Sequence, residues 1–321
     1  MLRALGLGDF LTAVPAIRAI RRALPDHDVV LAAPPALEPL VRLAGVADRL
    51  LAASGLQPLR WHGPPPDVAV DLQGSGPQSH RLLTALAPRR IVAFGSPSAG
   101  VQGPEWDADE HEVERWCRLV TEAGWPADPT DLRLPAPEPA PAFPDAVVVH
   151  AGAAYPARRW PTDRFAAVAR WVAEQGWPVV FTGSDDERRL TEEVCRTAGL
   201  PLDRVLAGRT DLEGLAAQVN AAPAIVCGDT GVAHLATALG RPSVLLFGPT
   251  PPSRWGPPSS GPHTVIWRGT TAGDPWADSP DPALLEITVD EVVSQVRDVL
   301  RRPPVPARGP TAASAPARPR R

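Results

Sequence analysis

Two rhythms of apolar and polar positions alternate along this chain. Short unbroken apolar runs bounded by Gly, Pro or Asp read as strands buried on both faces. Longer stretches with apolar residues three and four apart read as helices packed on them. Runs at 29–33, 67–73, 89–94, 145–150, 177–182, 205–210, 224–227 and 243–247 predict the strands. Phe10, Val14 and Ile17, then Val113, Trp116 and Val120, then Phe165, Val168 and Val172 mark the inner faces of three helices. Further helices are expected over 187–197, 212–219 and 232–239. A last one starts at Thr288, with Glu291 at the capping-box position. Residues 249–282 carry only loop signals. Strands alternating with helices predict an α/β fold of doubly wound, Rossmann-like parallel sheets.

The most complete unit runs from Ala224 to Gly248. Gly228-Asp229-Thr230-Gly231 makes the turn between strand and helix, with Asp229 or Thr230 as N-cap, and Gly240 and Pro242 stop the helix. A tight turn at a helix N-terminus leaves backbone N–H groups free, which is either an ordinary cap or an anion site suited to phosphate. The chain opens on a similar unit. Gly6 and Gly8 form a Gly-rich turn, Asp9 can cap the helix, and Pro15 is expected near its first turn. Only Met1 to Leu5 can supply the strand before that turn. In a doubly wound sheet the first strand is central, so one this short is expected to leave its neighbours unpaired. We therefore expect the natural start codon to lie several residues upstream.

Pro-rich residues 131–144 lack periodicity and read as a linker. It divides the chain into an amino-terminal domain, 1–143, and a carboxyl-terminal domain, 144–302, followed by a Pro/Ala/Arg tail, 303–321, expected to be disordered. A solvated tail is the favoured reading, with peripheral contact to an anionic membrane surface the most it offers. The formal net charge of −4 gives no reason to expect nucleic acid. There is no Lys, so any cationic site must use Arg or His. The 3 Cys are scattered without metal-ligand spacing, and neither a membrane span nor a signal peptide is visible. A cytoplasmic location with buried free thiols is expected.

Four motifs then carry a resemblance. Gly6-Leu7-Gly8-Asp9 with Thr12-Ala13-Val14-Pro15, Asp71-Leu72-Gln73-Gly74, Arg158-Arg159-Trp160-Pro161, and Asp229 to Ala236 followed by Phe247 to Thr250 resemble glycosyltransferase family 9, the heptosyltransferases. Each is weak alone; in this order they cover nearly the whole chain. The resemblance implies the GT-B fold, with two Rossmann-like domains facing across a cleft and the final helix packing back across the domain boundary. It implies an inverting enzyme of cell-envelope glycan synthesis, such as the lipopolysaccharide core. The sugar, heptose or similar, would pass from a nucleoside diphosphate donor, ADP-heptose by family, to a glycan or glycolipid hydroxyl.

Residue by residue, the resemblance places Asp9 as general base, against the alternative that it only caps its helix. It places Arg158 as the cation on the leaving diphosphate, with Arg159 a less suited substitute. Thr230 and Gly231 offer N–H groups to the diphosphate, and Asp229 orients that loop or binds a sugar hydroxyl. His234 contacts sugar or phosphate, or makes a structural hydrogen bond. Gly183 and Asp185 fall near the ribose and Thr210 near the base, while Gly8 and Gln73 lie on the acceptor side. No metal or cofactor is implied. In family members acting on an acidic lipopolysaccharide core, the loop after Asp71-Leu72-Gln73 carries a basic residue. Here residues 74–79 have none, although His80 and Arg81 follow, which argues against a strongly anionic lipid acceptor.

Three rival readings compete with this one. A GT-B epimerase or hydrolase of nucleotide-sugars would need a water-activating acid in the cleft. A silent nucleotide-sugar-binding relative is opposed by intact Asp9 and Arg158. A nicotinamide enzyme is opposed by Leu11, where a Gly-x-Gly-x-x-Gly turn needs its third glycine.

Overall fold

The computed structural model describes residues 1–303; the tail expected from residue 303 lies, beyond Pro303 itself, outside them. The elements in order are α1 (Leu7–Ala23), β1 (Val30–Ala33), α2 (Glu38–Ala44), β2 (Arg49–Ala52), β3 (Val68–Val70), α3 (Gln78–Thr84), β4 (Arg90–Val92) and α4 (Glu112–Glu122) in the first half. The second half contains β5 (Val147–His150), α5 (Thr162–Glu174), β6 (Val179–Phe181), α6 (Arg188–Ala198), α7 (Leu212–Ala221), β7 (Ile225–Gly228), α8 (Gly231–Leu239), β8 (Ser243–Phe247), α9 (Pro252–Trp255), β9 (His263–Trp267), α10 (Pro282–Glu286) and α11 (Val289–Arg301).

Every named strand pair is parallel. The second half forms one sheet in the order β6-β5-β7-β8-β9. Its residues alternate between two buried faces: Val147 and Val149 join one apolar cluster and Val148 joins the other. That is why these strands read as unbroken apolar runs. In the first half β1 pairs with β2, and β3 with β4. Leu2 joins the two pairs. It bridges Ala32 on one side and Asp71 on the other, with its N–H donating to Val70 O at 2.9 Å and its carbonyl accepting from Leu72 N at 3.0 Å. The central strand is as short as expected, but it does not leave its neighbours unpaired.

α1 is buried along most of its length and packs against both α4 and α8. One continuous core therefore runs through both halves. Pro15 lies midway along α1, not at its first turn. The segment 131–144 is irregular, as expected, yet it is no free spacer. Leu134 donates to Ala238 O at 2.9 Å, and Gln218 exchanges hydrogen bonds with the Phe143 backbone at 2.9 and 2.7 Å. α11 buries Val292, Val296 and Val299 against α5 and β8 of its own half, which corrects the expectation that it crosses back. An edge strand, β9, lies within the stretch read as loop, because Gly and Pro flank a run that is only partly buried. The short elements α2, β2 and α3 also escaped the pattern. All three Cys are free and buried. Among the described residues no helix is long and apolar enough to cross a membrane.

Candidate functional site

The amino-terminal turn is held from inside. Gly6 occupies the N-cap of α1 and Asp9 sits in the first turn, so Asp9 is not itself the cap. Its Oδ2 reaches back to accept the Gly6 N–H at 3.1 Å. Beneath it lies Arg3, a cation 1% exposed. Arg3 Nε donates to Asp9 O at 2.8 Å, Nη1 donates to Leu72 O, and Nη2 meets Glu112 Oε1 at 2.9 Å. The Arg3 Nη2 also stands 3.7 Å from Asp9 Oδ1, while the Asp9 side chain remains 30% exposed. Burial pushes the Asp9 carboxyl above the ordinary carboxylate value; Arg3 opposes the rise and Glu112 adds to it.

The carboxyl-terminal turn holds a second acid. Asp229 follows β7 and is buried. Burial pushes its carboxyl up to about 6, against the pull of Arg158 and a hydrogen bond with Thr250, and Asp9 adds to the rise. Thr230 is the N-cap of α8, but its hydroxyl accepts no helix N–H. That hydroxyl lies against the Cys227 thiol without meeting hydrogen-bond geometry. Arg158 stands over the Tyr155 ring at 5.8 Å, and its carbonyl approaches Gly228 closely enough that a Cβ there would come within 3.1 Å. Arg158 Nε and Thr230 Oγ1 are both buried without a hydrogen-bond partner. Arg159 is committed elsewhere, donating to Ala153 O at 2.9 Å.

These two turns meet. A Cβ on Gly8 would lie 2.7 Å from His234 Cδ2, and one on Gly231 would lie 2.8 Å from Leu7 Cβ. Only glycine at both positions lets the N-termini of α1 and α8 approach this closely. His234 packs edge-on against Trp255, with ring centroids 5.7 Å apart. Burial, with His111 next, pushes its imidazole down to about 4, so it is neutral at physiological pH. His111 is the N-cap of α4. Its Nδ1 accepts the Val113 N–H, which leaves Nε2 to donate to Gly256 O at 2.9 Å, across to the second half.

The other expected residues divide. Gly183 and the loop before Thr210 come together through Gly208 N to Gly183 O at 3.1 Å. Asp185 is 80% exposed and paired with Arg188, its carboxylate lying over Gly208. Glu187, two residues on, turns in instead. A Cβ on Gly152, past the end of β5, would strike its carboxylate, and its Oε2 accepts from Ser184 N at 2.8 Å. On the acceptor side Gln73 Oε1 accepts the Ala4 N–H at 2.6 Å, so its side chain braces the turn before Gly8. His80 is fully buried beside Asp71, and Arg81 donates to Ser98 O at 2.9 Å. Sequence reasoning missed Arg3, Glu112 and Glu187. A signal existed for Arg3: a cation inside an apolar, strand-like segment must find partners. Among the described residues no cluster of three or more His, Cys, Asp or Glu is gathered for a metal.

Comparison with known proteins gives the family and the fold. The family described as glycosyltransferase family 9 (heptosyltransferase) matches residues 97–275, more than half of the chain. Lipopolysaccharide heptosyltransferase 2 of Escherichia coli K12 is 32% identical over 153 residues, which cover 45% of this chain and 43% of the relative. The match thus spans less than half the length of that relative. Among solved structures, E. coli ADP-heptose lps heptosyltransferase II superposes with a TM-score of 0.74 at 21% identity, covering 93% of this chain and 97% of that one. E. coli heptosyltransferase WaaC with ADP gives 0.66 at 17% identity, covering 93% and 98%. These likenesses establish the GT-B fold.

Proposed function

The chain belongs to glycosyltransferase family 9, and from that premise we propose that it transfers a heptose-like sugar from ADP-heptose to an acceptor hydroxyl. The donor is carried over from the E. coli structural neighbour named for it. Asp9 takes the proton of the acceptor hydroxyl. That oxygen attacks the anomeric carbon opposite the diphosphate, the bond from carbon to diphosphate oxygen breaks, and the configuration inverts. Arg158 and the N–H groups at Thr230 and Gly231 receive the leaving diphosphate. The observation that carries this reading is a pair of buried, unpartnered polar atoms: Thr230 Oγ1 at the N-cap of α8, and Nε of Arg158, the cation whose charge Asp229 feels. Buried polar atoms are rarely left unpaired, and a bound ligand or water is what completes them.

Asp229 keeps that turn in place through Thr250 and counterbalances Arg158. Glu187 is better placed than Asp185 to accept the ribose hydroxyls, with Gly183 and Thr210 lining the path to the base. His234, neutral and packed on Gly8, has chiefly the structural role. Burial of His80 removes one of the two basic candidates near the acceptor, so an acceptor of low negative charge fits this chain better. A place in lipopolysaccharide core or related envelope synthesis, a cytoplasmic location and a domain boundary at residues 143 and 144 belong to the same proposal.

The test is thermal stabilisation by a panel of ADP-, GDP-, UDP- and dTDP-sugars. An ADP-heptose shift that vanishes in Arg158→Ala supports the reading. A shift retained in that variant, or produced by another donor alone, overturns it.

A further inference from the structure

The reading of Asp9 as base leaves two buried charges unexplained. Arg3 and Glu112 are 1% and 4% exposed. The guanidinium is bolted at several points: to Asp9 O, to Leu72 O, to Thr12 Oγ1 at 3.3 Å and to Glu112, with its carbon 4.7 Å from the Trp116 ring centre. Two of those points lie in the first turns of α1, so Arg3 fixes the helix start that carries Asp9. Glu112 is held in turn by Trp116 Nε1 at 2.8 Å and by Arg115.

We propose that Arg3, held by Glu112, is the positioning residue that fixes the Asp9 carboxylate at the cleft, and that this buried pair sets the charge Asp9 meets there. The proposal rests on the reading of Asp9 as the base. A lone guanidinium beside a carboxylate makes it a poor proton acceptor. Here Glu112 offsets that charge, and Arg3 places its Nε and Nη1 on carbonyls rather than forking onto Asp9. Groups facing Asp9 from other elements add to this balance: the Asp229 carboxyl repels the Asp9 carboxylate and is itself countered by Arg158. Asp229, across the cleft, is a second acid, and His234 on α8 is neutral. His111 on α4 is bonded through both ring nitrogens.

The test is a carbon-13 titration of the full chain labelled at Asp carboxyls, with the Asp9 signal assigned by its loss in Asp9→Asn. Glu112→Gln keeps the shape, and Arg115 retains the carbonyls of Asp107 and Glu110. The Asp9 midpoint should fall by about one unit in Glu112→Gln, because Arg3 is then uncompensated, and rise in Arg3→Met. A folded Glu112→Gln whose Asp9 midpoint stays within about 0.2 unit of the parent overturns the proposal. If Arg3→Met does not fold, Glu112→Gln decides alone. The titration needs no substrate. If Glu112→Gln moves the Asp9 midpoint while the acid limb of sugar transfer stays put, the base reading falls and the positioning role stands.

Discussion

The turn at Gly6–Asp9 and the turn at Asp229–Gly231 are built alike. The first follows the bridging residue Leu2 and the second follows β7; each carries an acid and opens a helix whose N-terminus faces the other. They differ in what surrounds the acid. Asp9 keeps part of its carboxylate in solvent above a guanidinium that is itself balanced by Glu112. Asp229 is enclosed, with Arg158 and Thr250 as its partners. The first arrangement suits an acid that must exchange a proton during turnover. The second suits an acid that holds a loop and a cation in place. The residue type is the same in both, but Asp9 is the third residue of its helix whereas Asp229 precedes the N-cap Thr230, so helix position and surroundings together distinguish the two acids.

The sharpest way to break this comparison is to neutralise each acid's own chemistry. Asp9→Asn should lower kcat by about 10²–10⁴-fold, the range for loss of a general base, while donor-induced stabilisation is kept. A modest loss would return Asp9 to a capping role. Next in size is Arg158→Ala, for which kcat should fall by roughly 10²–10³-fold and donor-induced stabilisation should disappear in the same preparation. Arg158→Lys keeps the charge and should lose less.

The contact between the turns predicts a smaller, purely steric effect. Gly8→Ala drives a methyl into the His234 ring and should cost roughly 1–3 kcal/mol in urea unfolding. Gly6→Ala is the control: its Cβ would meet Asp9 Oδ2 at 3.4 Å, an ordinary contact, so it should show only the weaker N-cap, a loss under about 1 kcal/mol. Equal losses in the two variants would mean the turns do not touch in solution.

The subtlest difference is in pH dependence. Asp229 is raised in the folded chain to about 6 from the ordinary 3.8. The contribution of such a group is fully present below the unfolded value and is lost as pH rises through the folded one. Asp229→Asn does not titrate. Relative to the parent it should therefore gain stability between about pH 4 and pH 7, the window set by those two values. Unfolding of both proteins across that range reads the effect directly; a constant gap would remove Asp229 as its source.

Much of this was legible in the chain. The strand from Ser243 to Phe247 matches its predicted span, because an apolar run between Gly240-Arg241-Pro242 and Gly248 leaves little freedom. The Asp-Thr-Gly turn was readable as a helix start for the same local reason. What escaped was weakly patterned or distant. β9 hides among Gly and Pro, and Asp185 and Glu187 cannot be told apart as cleft acids until Gly152 shows which one is turned inward. His80 looked like a basic residue beside the acceptor loop, whereas α3 carries it into the interior.

Sequence alone determined the alternation of strands and helices and the two glycine-flanked acidic turns, because periodicity, caps and turns act over a few residues. Only the tertiary structure decided that Arg3 pairs with Glu112, a residue 109 positions away, and that Gly8 rests on His234. Those contacts follow from the packing of α1 between α4 and α8. That packing is a property of the assembled core, where burial makes an unpaired charge costly and so selects the partner that no local pattern names.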